Sequence, residues 1–168
     1  MPRLHDRTGV IDDAWVAADA PRPNAPTIVP LAALREGGDA FDGVAPARLG
    51  VAVPNDVPTE EIVAILPRVA LVAIDFPAFA DGRGFSIARR LRAAGFEGEL
   101  RAQGLMISDQ FAMLLACGFD TAEVADEIEV RQPAEDWDAA RDRFAEGYQK
   151  GYGRPSILEA RRAARRTP

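Results

Sequence analysis

The residues with the types and spacing for chemistry lie in two runs, each joining a strand to a helix. The first, Phe76-Pro77-Ala78-Phe79-Ala80-Asp81-Gly82-Arg83-Gly84-Phe85-Ser86, sets a guanidinium between two glycines just ahead of a helix start. Arg83 offers a planar fork of donors suited to carboxylate, phosphate, sulfate or sulfite oxygens. Gly82 and Gly84 allow backbone angles closed to other residues, and Ser86 can cap a helix whose free amides favour an anion. The second run, Gln103 to Gln110, brings Asp109 and Gln110 to the next helix start, with Arg101 on the strand before it. Asp81, Gly82, Arg83, Gly84, Ser86, Arg101, Asp109 and Gln110 are therefore the candidate anion-binding residues. In the competing reading Arg83 pairs internally with Asp75, Asp81 or Asp109 and pins the two loops together.

Other chemistries lack their residues. A dinucleotide fingerprint counted from Gly82 meets Ile87 where a third small residue is required, and no acidic residue ends the next strand to take a ribose hydroxyl. The chain has one His and one Cys, which excludes a disulfide framework, a cysteine-held iron–sulfur cluster and a zinc site built from several Cys and His of one chain. Cys117 stands beside Ala116 and just before Gly118, the setting of a small core residue. His5 reads as a surface histidine of an N-terminal arm, so no Ser–His–Asp arrangement forms. No catalytic residue, metal or cofactor is assigned.

The elements that hold these loops follow from periodicity. Leu49–Val53 and Thr121–Val124 read as strands, as does the uninterrupted apolar run Val69–Ile74, and Glu99–Ala102 is another. Between them Thr59, Ser86 and Ser108 stand ahead of amphipathic helices carrying Ile62, Ile65 and Leu66, then Ile87, Leu91 and Ala94, then Phe111, Leu114 and Leu115. Repeated strand–helix units imply right-handed crossovers and a parallel sheet, hence an α/β fold that is either an open doubly wound sheet or a partial β/α barrel. In both, ligands bind beyond the strand carboxyl ends, where the two loops lie.

Three regions are expected: residues 1–48 an irregular N-terminal arm, 49–133 the α/β core, and 134–168 a helical region packed on it. In the arm, Pro21, Pro23, Pro26 and Pro30 break any helix, and Thr27–Leu31 reads as an edge strand because Pro lacks the donor a neighbour would need. In the last region Trp137, Ala140, Phe144 and Tyr148 form one stripe, interrupted near Tyr152 by Gly151, Gly153 and Pro155.

Charge narrows the partners. A net charge of −6 over 168 residues argues against nucleic acid, whose binding needs many cations on one face. No apolar run approaches a membrane span, and Arg3, Asp6 and Asp12 stand where a signal peptide needs an apolar core, so a cytoplasmic protein is expected. Arg154, Arg161, Arg162, Arg165 and Arg166 face an acidic stretch from Asp120 to Asp142, which suits docking on an acidic partner or a homodimer.

The run IDFPAFADGRGFSIARRLRAAGFEGELRAQGLMISDQFAMLLACGFD, Ile74 to Asp120, resembles a bacterial family of small proteins of unknown function encoded beside assimilatory sulfite reductase. Its motifs are the F-P-x-F-x-D-G-R-G loop, A-R-x-L-R, G-E-L-R-A-x-G, D-Q and C-G-F-D. These put Asp81, Arg83, Ser86, Arg89, Arg92, Glu99, Arg101, Asp109, Gln110, Cys117 and Asp120 on family positions, whereas Leu115-Ala116 stand where the family often has arginine. The resemblance implies an accessory protein or an oxidoreductase of assimilatory sulfite reduction, with sulfite reductase or its electron donor as partner and sulfite or sulfate as the small anion. The alternative is an anion-sensing or adaptor module without catalysis.

Overall fold

The computed structural model describes residues 3–146 of the chain, with side chains to residue 142. One eight-stranded sheet runs through it: β1 (Arg3–Asp6), β2 (Gly9–Ile11), β3 (Val16–Ala17), β4 (Thr27–Pro30), β5 (Leu49–Val53), β6 (Leu71–Phe76), β7 (Glu99–Gly104) and β8 (Thr121–Val124), in the spatial order β2-β1-β8-β7-β6-β5-β4-β3. From β3 to β8 the strands are parallel, each beside its successor in sequence, and β1 and β2 add an antiparallel hairpin next to β8. Right-handed crossovers that always step the same way put every helix on one face. The doubly wound alternative would require the strand order to reverse. The fold is thus a curled half-barrel of the β/α kind.

The convex face carries α1 (Leu31–Glu36), α2 (Thr59–Ile65), α3 (Arg83–Ala93), α4 (Phe111–Cys117), α5 (Asp126–Glu129) and α6 (Ala134–Glu146). Alternate strand residues Val51, Val53, Val72, Ile74, Phe76, Leu100, Ala102, Ala122 and Val124 meet Ile62, Ile87, Leu91, Leu114 and Trp137 in the main core. Cys117 belongs to this core, as its small neighbours suggest. Gly118, at φ +101°, ends α4 in the left-handed conformation that glycine adopts without strain. Arg92 ties the ends of α3 and α4 together, donating to the carbonyls of Phe96 (2.7 Å), Gly98 (2.8 Å) and Gly118 (2.9 Å) and to Asp120 (2.5 Å). Its place in the A-R-x-L-R motif therefore has a structural explanation.

The first 48 residues differ from the arm expected of them, since they supply four of the eight strands. A tight hairpin builds the first two: Asp6 Oδ1 accepts from the amides of Thr8 (2.6 Å) and Gly9 (3.1 Å) and from the Thr8 hydroxyl (2.7 Å). His5 is consequently not a surface residue. Pairing β1 to β8 buries it to 1% exposure, stacked on Trp137 at 4.9 Å between ring centroids. β4 is not an edge strand either. Val16 and Ala18 donate to the carbonyls of Pro26 and Ile28 at 3.0 Å each, so β3 pairs with β4 through acceptors and the missing proline donors are not needed. The Tyr148–Arg166 features lie outside the described residues.

Candidate functional site

The two loops singled out from the sequence do meet at the carboxyl ends of β6 and β7, where Gln110 Nε2 donates to the Phe79 carbonyl at 2.8 Å. Its Oε1 accepts from the Ile107 amide (3.2 Å), so Gln110 is a brace between loops. Arg83 is clamped by its neighbour: Nη2 lies 2.6 Å from Asp81 Oδ2, and Nε lies 3.0 Å and 3.2 Å from the two carboxylate oxygens. Asp81 thus occupies the fork an external anion would need. The Arg83 bonds hold the Asp81 carboxyl well below the usual range, and the same bonds raise Arg83 further.

The glycines of this loop work differently from the expectation. Neither Gly82 nor Gly84 has positive φ. Gly84 is needed for space, because a Cβ there would stand 2.6 Å from the Phe76 ring, while at Gly82 it would meet nothing nearer than 3.8 Å. α3 also begins at Arg83, with no side-chain cap, which puts Ser86 in its first turn, exposed, and not at its cap. Asp109 is exposed beside Gln110. Arg101 does not join the group: it lies on the opposite, concave face of the sheet, 1% exposed.

That concave face is where polar chemistry accumulates. Strand residues alternate across the sheet, so while Leu100 and Ala102 enter the main core, Glu99, Arg101 and Gln103 point the other way, level with Leu71, Ala73 and Asp75 of β6. Arg101 forks onto Asp13 at 2.6 Å and 2.9 Å and also reaches Glu99 (3.1 Å) and Glu123 (3.2 Å). Burial works to lower Arg101, but the Asp13 hydrogen bond and the three carboxylate charges outweigh it and leave it raised. Asp13 is the converse, with burial overcome by Arg101 and by the Trp15 amide, so its carboxyl is lowered. Two residues on, Trp15 packs over Ile28, Leu71 and Ala73. The Asp13–Trp15 segment therefore straps the amino-end half of the concave face, filling space that further strands would fill in a closed barrel.

The carboxyl-end half stays open as a cleft of about 630 Å³. Its apolar sides come from Ala17, Ala18, Ile28, Pro30, Ala52 and Ala125, and its polar residues are Asp19, Asp75, Gln103 and Glu123. Asp75, Gln103 and Glu123 form one row across β6, β7 and β8. Gln103 Nε2 donates to Asp75 Oδ1. Burial pushes the Asp75 carboxyl up from its ordinary value, opposed by that hydrogen bond. A half-buried acid with an upward shift, at the strand carboxyl ends of a β/α fold, has the position and the protonation behaviour of a functional group. A second hollow of about 550 Å³ opens at the opposite, amino end, among Arg35, Asp39, Asp42 and Arg68. No group of His, Cys, Asp and Glu among the described residues is arranged to hold a metal ion.

Residues 50–158 match the family model described as Bacterial protein of unknown function (DUF934). The chain belongs to the DUF934 family. No curated protein and no solved structure matches it. The DUF934 match starts at Gly50 in β5, so Asp75, Arg101, Gln103 and Glu123 fall inside it, whereas Asp13 and Trp15 come from the segment before it. No helix among the described residues of this DUF934 protein is long and apolar enough to cross a membrane.

The sequence alone offers Asp75 as a partner for Arg83 and Glu123 as part of a strand and an acidic stretch, and it assigns no role to Asp13 or Trp15. The signal was present. In Leu71-Val72-Ala73-Ile74-Asp75-Phe76 a lone carboxylate interrupts a strand that is apolar on both faces, at its carboxyl end.

Proposed function

We propose that this protein is a ligand-binding accessory protein of assimilatory sulfite reduction, acting with the reductase or its electron donor, and that its ligand sits in the concave cleft. The observation that carries the site is the Asp75–Gln103 pair, half-buried in an open cleft at the carboxyl ends of parallel strands. The pathway rests on the resemblance of the Ile74–Asp120 run. Anion capture by the Arg83 loop is the second reading, favoured by a guanidinium that is 56% exposed on the first residue of an eleven-residue helix. It requires Asp81 to be displaced, whereas the cleft requires no rearrangement.

The experiment is growth of the source bacterium, with and without this chain, on sulfite or on sulfide as sole sulfur source. Sulfide enters after the reduction step. A growth defect on sulfite that sulfide relieves supports the pathway assignment; equal growth on both overturns it.

A further inference from the structure

The cleft's lining also constrains what it can hold. Among the described residues, every charged side chain lining it is a carboxylate: Asp19, Asp75 and Glu123. Arg101, on the same concave face, is buried and already bonded to Asp13, Glu99 and Glu123. A bound anion would meet these carboxylates with no compensating cation among the described lining residues. The hydrogen-bonding capacity is also mostly accepting: one Asp75 oxygen is held by Gln103, and among the described residues no donor reaches the other or the Gln103 carbonyl oxygen. Asp75 and Gln103 are direct neighbours on adjacent strands and are bonded to each other, so these acceptors share one edge of the cleft. Beside that edge the surface is low and apolar, with Ala52 of β5 paired in register with Pro30 of β4 and Ile28 next to them.

We infer that the cleft takes a planar small molecule with an apolar body and a cationic N–C–N edge of the amidine class, whose paired N–H donors face Asp75 and Gln103 while the ring lies over Ala52. This deepens the cleft reading proposed above and rests on it. One N–H donates to the Asp75 oxygen that Gln103 leaves unused and the other to the Gln103 carbonyl oxygen, and the bond to the carboxylate is of the strong, charge-assisted kind. The half-buried state of Asp75 strengthens it, since an incoming cation meets a carboxylate that solvent screens incompletely. The same lining disfavours sulfite and sulfate in this cleft, so a ligand here would be an effector or co-substrate and not the sulfur oxyanion itself.

The test uses the full chain and three isosteric probes differing in charge: benzamidine, benzamide and benzoate, titrated by calorimetry and by quenching of Trp fluorescence. Benzamidine is expected to bind in the millimolar range that suits so small a ligand, with benzamide at least tenfold weaker and benzoate without measurable binding. Asp75→Asn keeps the shape and the Gln103 contact and is expected to weaken benzamidine at least tenfold. Benzoate or sulfite binding as tightly as benzamidine, benzamidine binding Asp75→Asn as tightly as wild type, or no benzamidine binding at all would each overturn the inference. The growth experiment reads the cleft independently of ligand class: an Ala52→Trp chain that fails to restore growth on sulfite, alongside a wild type that ignores benzamidine, would retire the amidine class and leave the cleft assignment standing.

Discussion

Replacing Arg101 by Met removes one cation and leaves three carboxylates facing one another across the concave face. Methionine keeps much of the side chain's apolar length, so the change isolates the charge. Arg101 is 1% exposed and makes hydrogen bonds of 2.6 Å and 2.9 Å to Asp13, 3.1 Å to Glu99 and 3.2 Å to Glu123. Breaking a buried ionic cluster by removing one member generally costs about 3–5 kcal/mol. Here the carboxylates are 33%, 26% and 29% exposed and can partly rehydrate, which sets the loss at the lower end, about 3 kcal/mol. For a chain of this size that corresponds to a fall in Tm of roughly 6–12 °C. Thermal melts by circular dichroism at pH 7 would measure it. The deficit should shrink as pH falls and the orphaned carboxylates protonate, and Trp15 emission should shift to the red as the Asp13–Trp15 strap loosens. A loss below about 1 kcal/mol, the range of an exposed pair, would refute the view that this cluster holds the strap in place.

Gly84→Ala should lower stability by about 1–3 kcal/mol through overpacking against Phe76, while Gly82→Ala should be neutral; urea denaturation of both variants checks the pair. His5 is lowered, by burial first, with Glu129 opposing, so the unfolded chain takes up a proton before the folded one does. Stability is therefore full above pH 6.5 and falls as pH drops from there through the folded value, and His5→Phe, which keeps the ring on Trp137, should flatten that slope in melts between pH 7.5 and 5. Asp75 has the opposite sign: raised by burial, it favours folding while protonated and loses that contribution as pH rises above 3.8 through its folded value. Asp75→Asn should then melt no lower than wild type at pH 8 even as benzamidine binding is lost, and a marked drop in Tm would show that the carboxylate is a structural brace.

The parallel core was legible because β5 and β6 are short apolar runs and α2, α3 and α4 carry regular stripes: Leu49–Val53 and Thr121–Val124 appear with the bounds expected. The N-terminal strands were not. β1 to β3 have two to four residues each, too few for alternation to stand out, and their cues are local ones, the Asp6 turn and the acceptor-side pairing of β3 with Pro26 and Ile28. The loops at the β6 and β7 ends were legible as neighbours. That Arg83 would close on Asp81, two residues away, could be listed but not chosen from sequence, since the choice depends on how the turn brings the carboxylate under the fork. The cleft was hidden for a different reason. Asp75, Arg101, Gln103 and Glu123 acquire a common face once β6, β7 and β8 are in register, and their Asp13 partner comes from far away in the chain.

The measurement closest to the central claim sets the cleft against the loop in one assay. Cells lacking this chain would be supplied with wild type, Ala52→Trp or Arg83→Ala and grown with sulfite as sole sulfur source, each variant first shown to melt within a few degrees of wild type. Ala52→Trp fills the cleft floor and leaves the loop intact; Arg83→Ala removes the loop's guanidinium and leaves the cleft intact. The account predicts that Arg83→Ala restores growth and Ala52→Trp does not. Restoration by Ala52→Trp together with failure of Arg83→Ala would contradict it and return the function to the arginine loop.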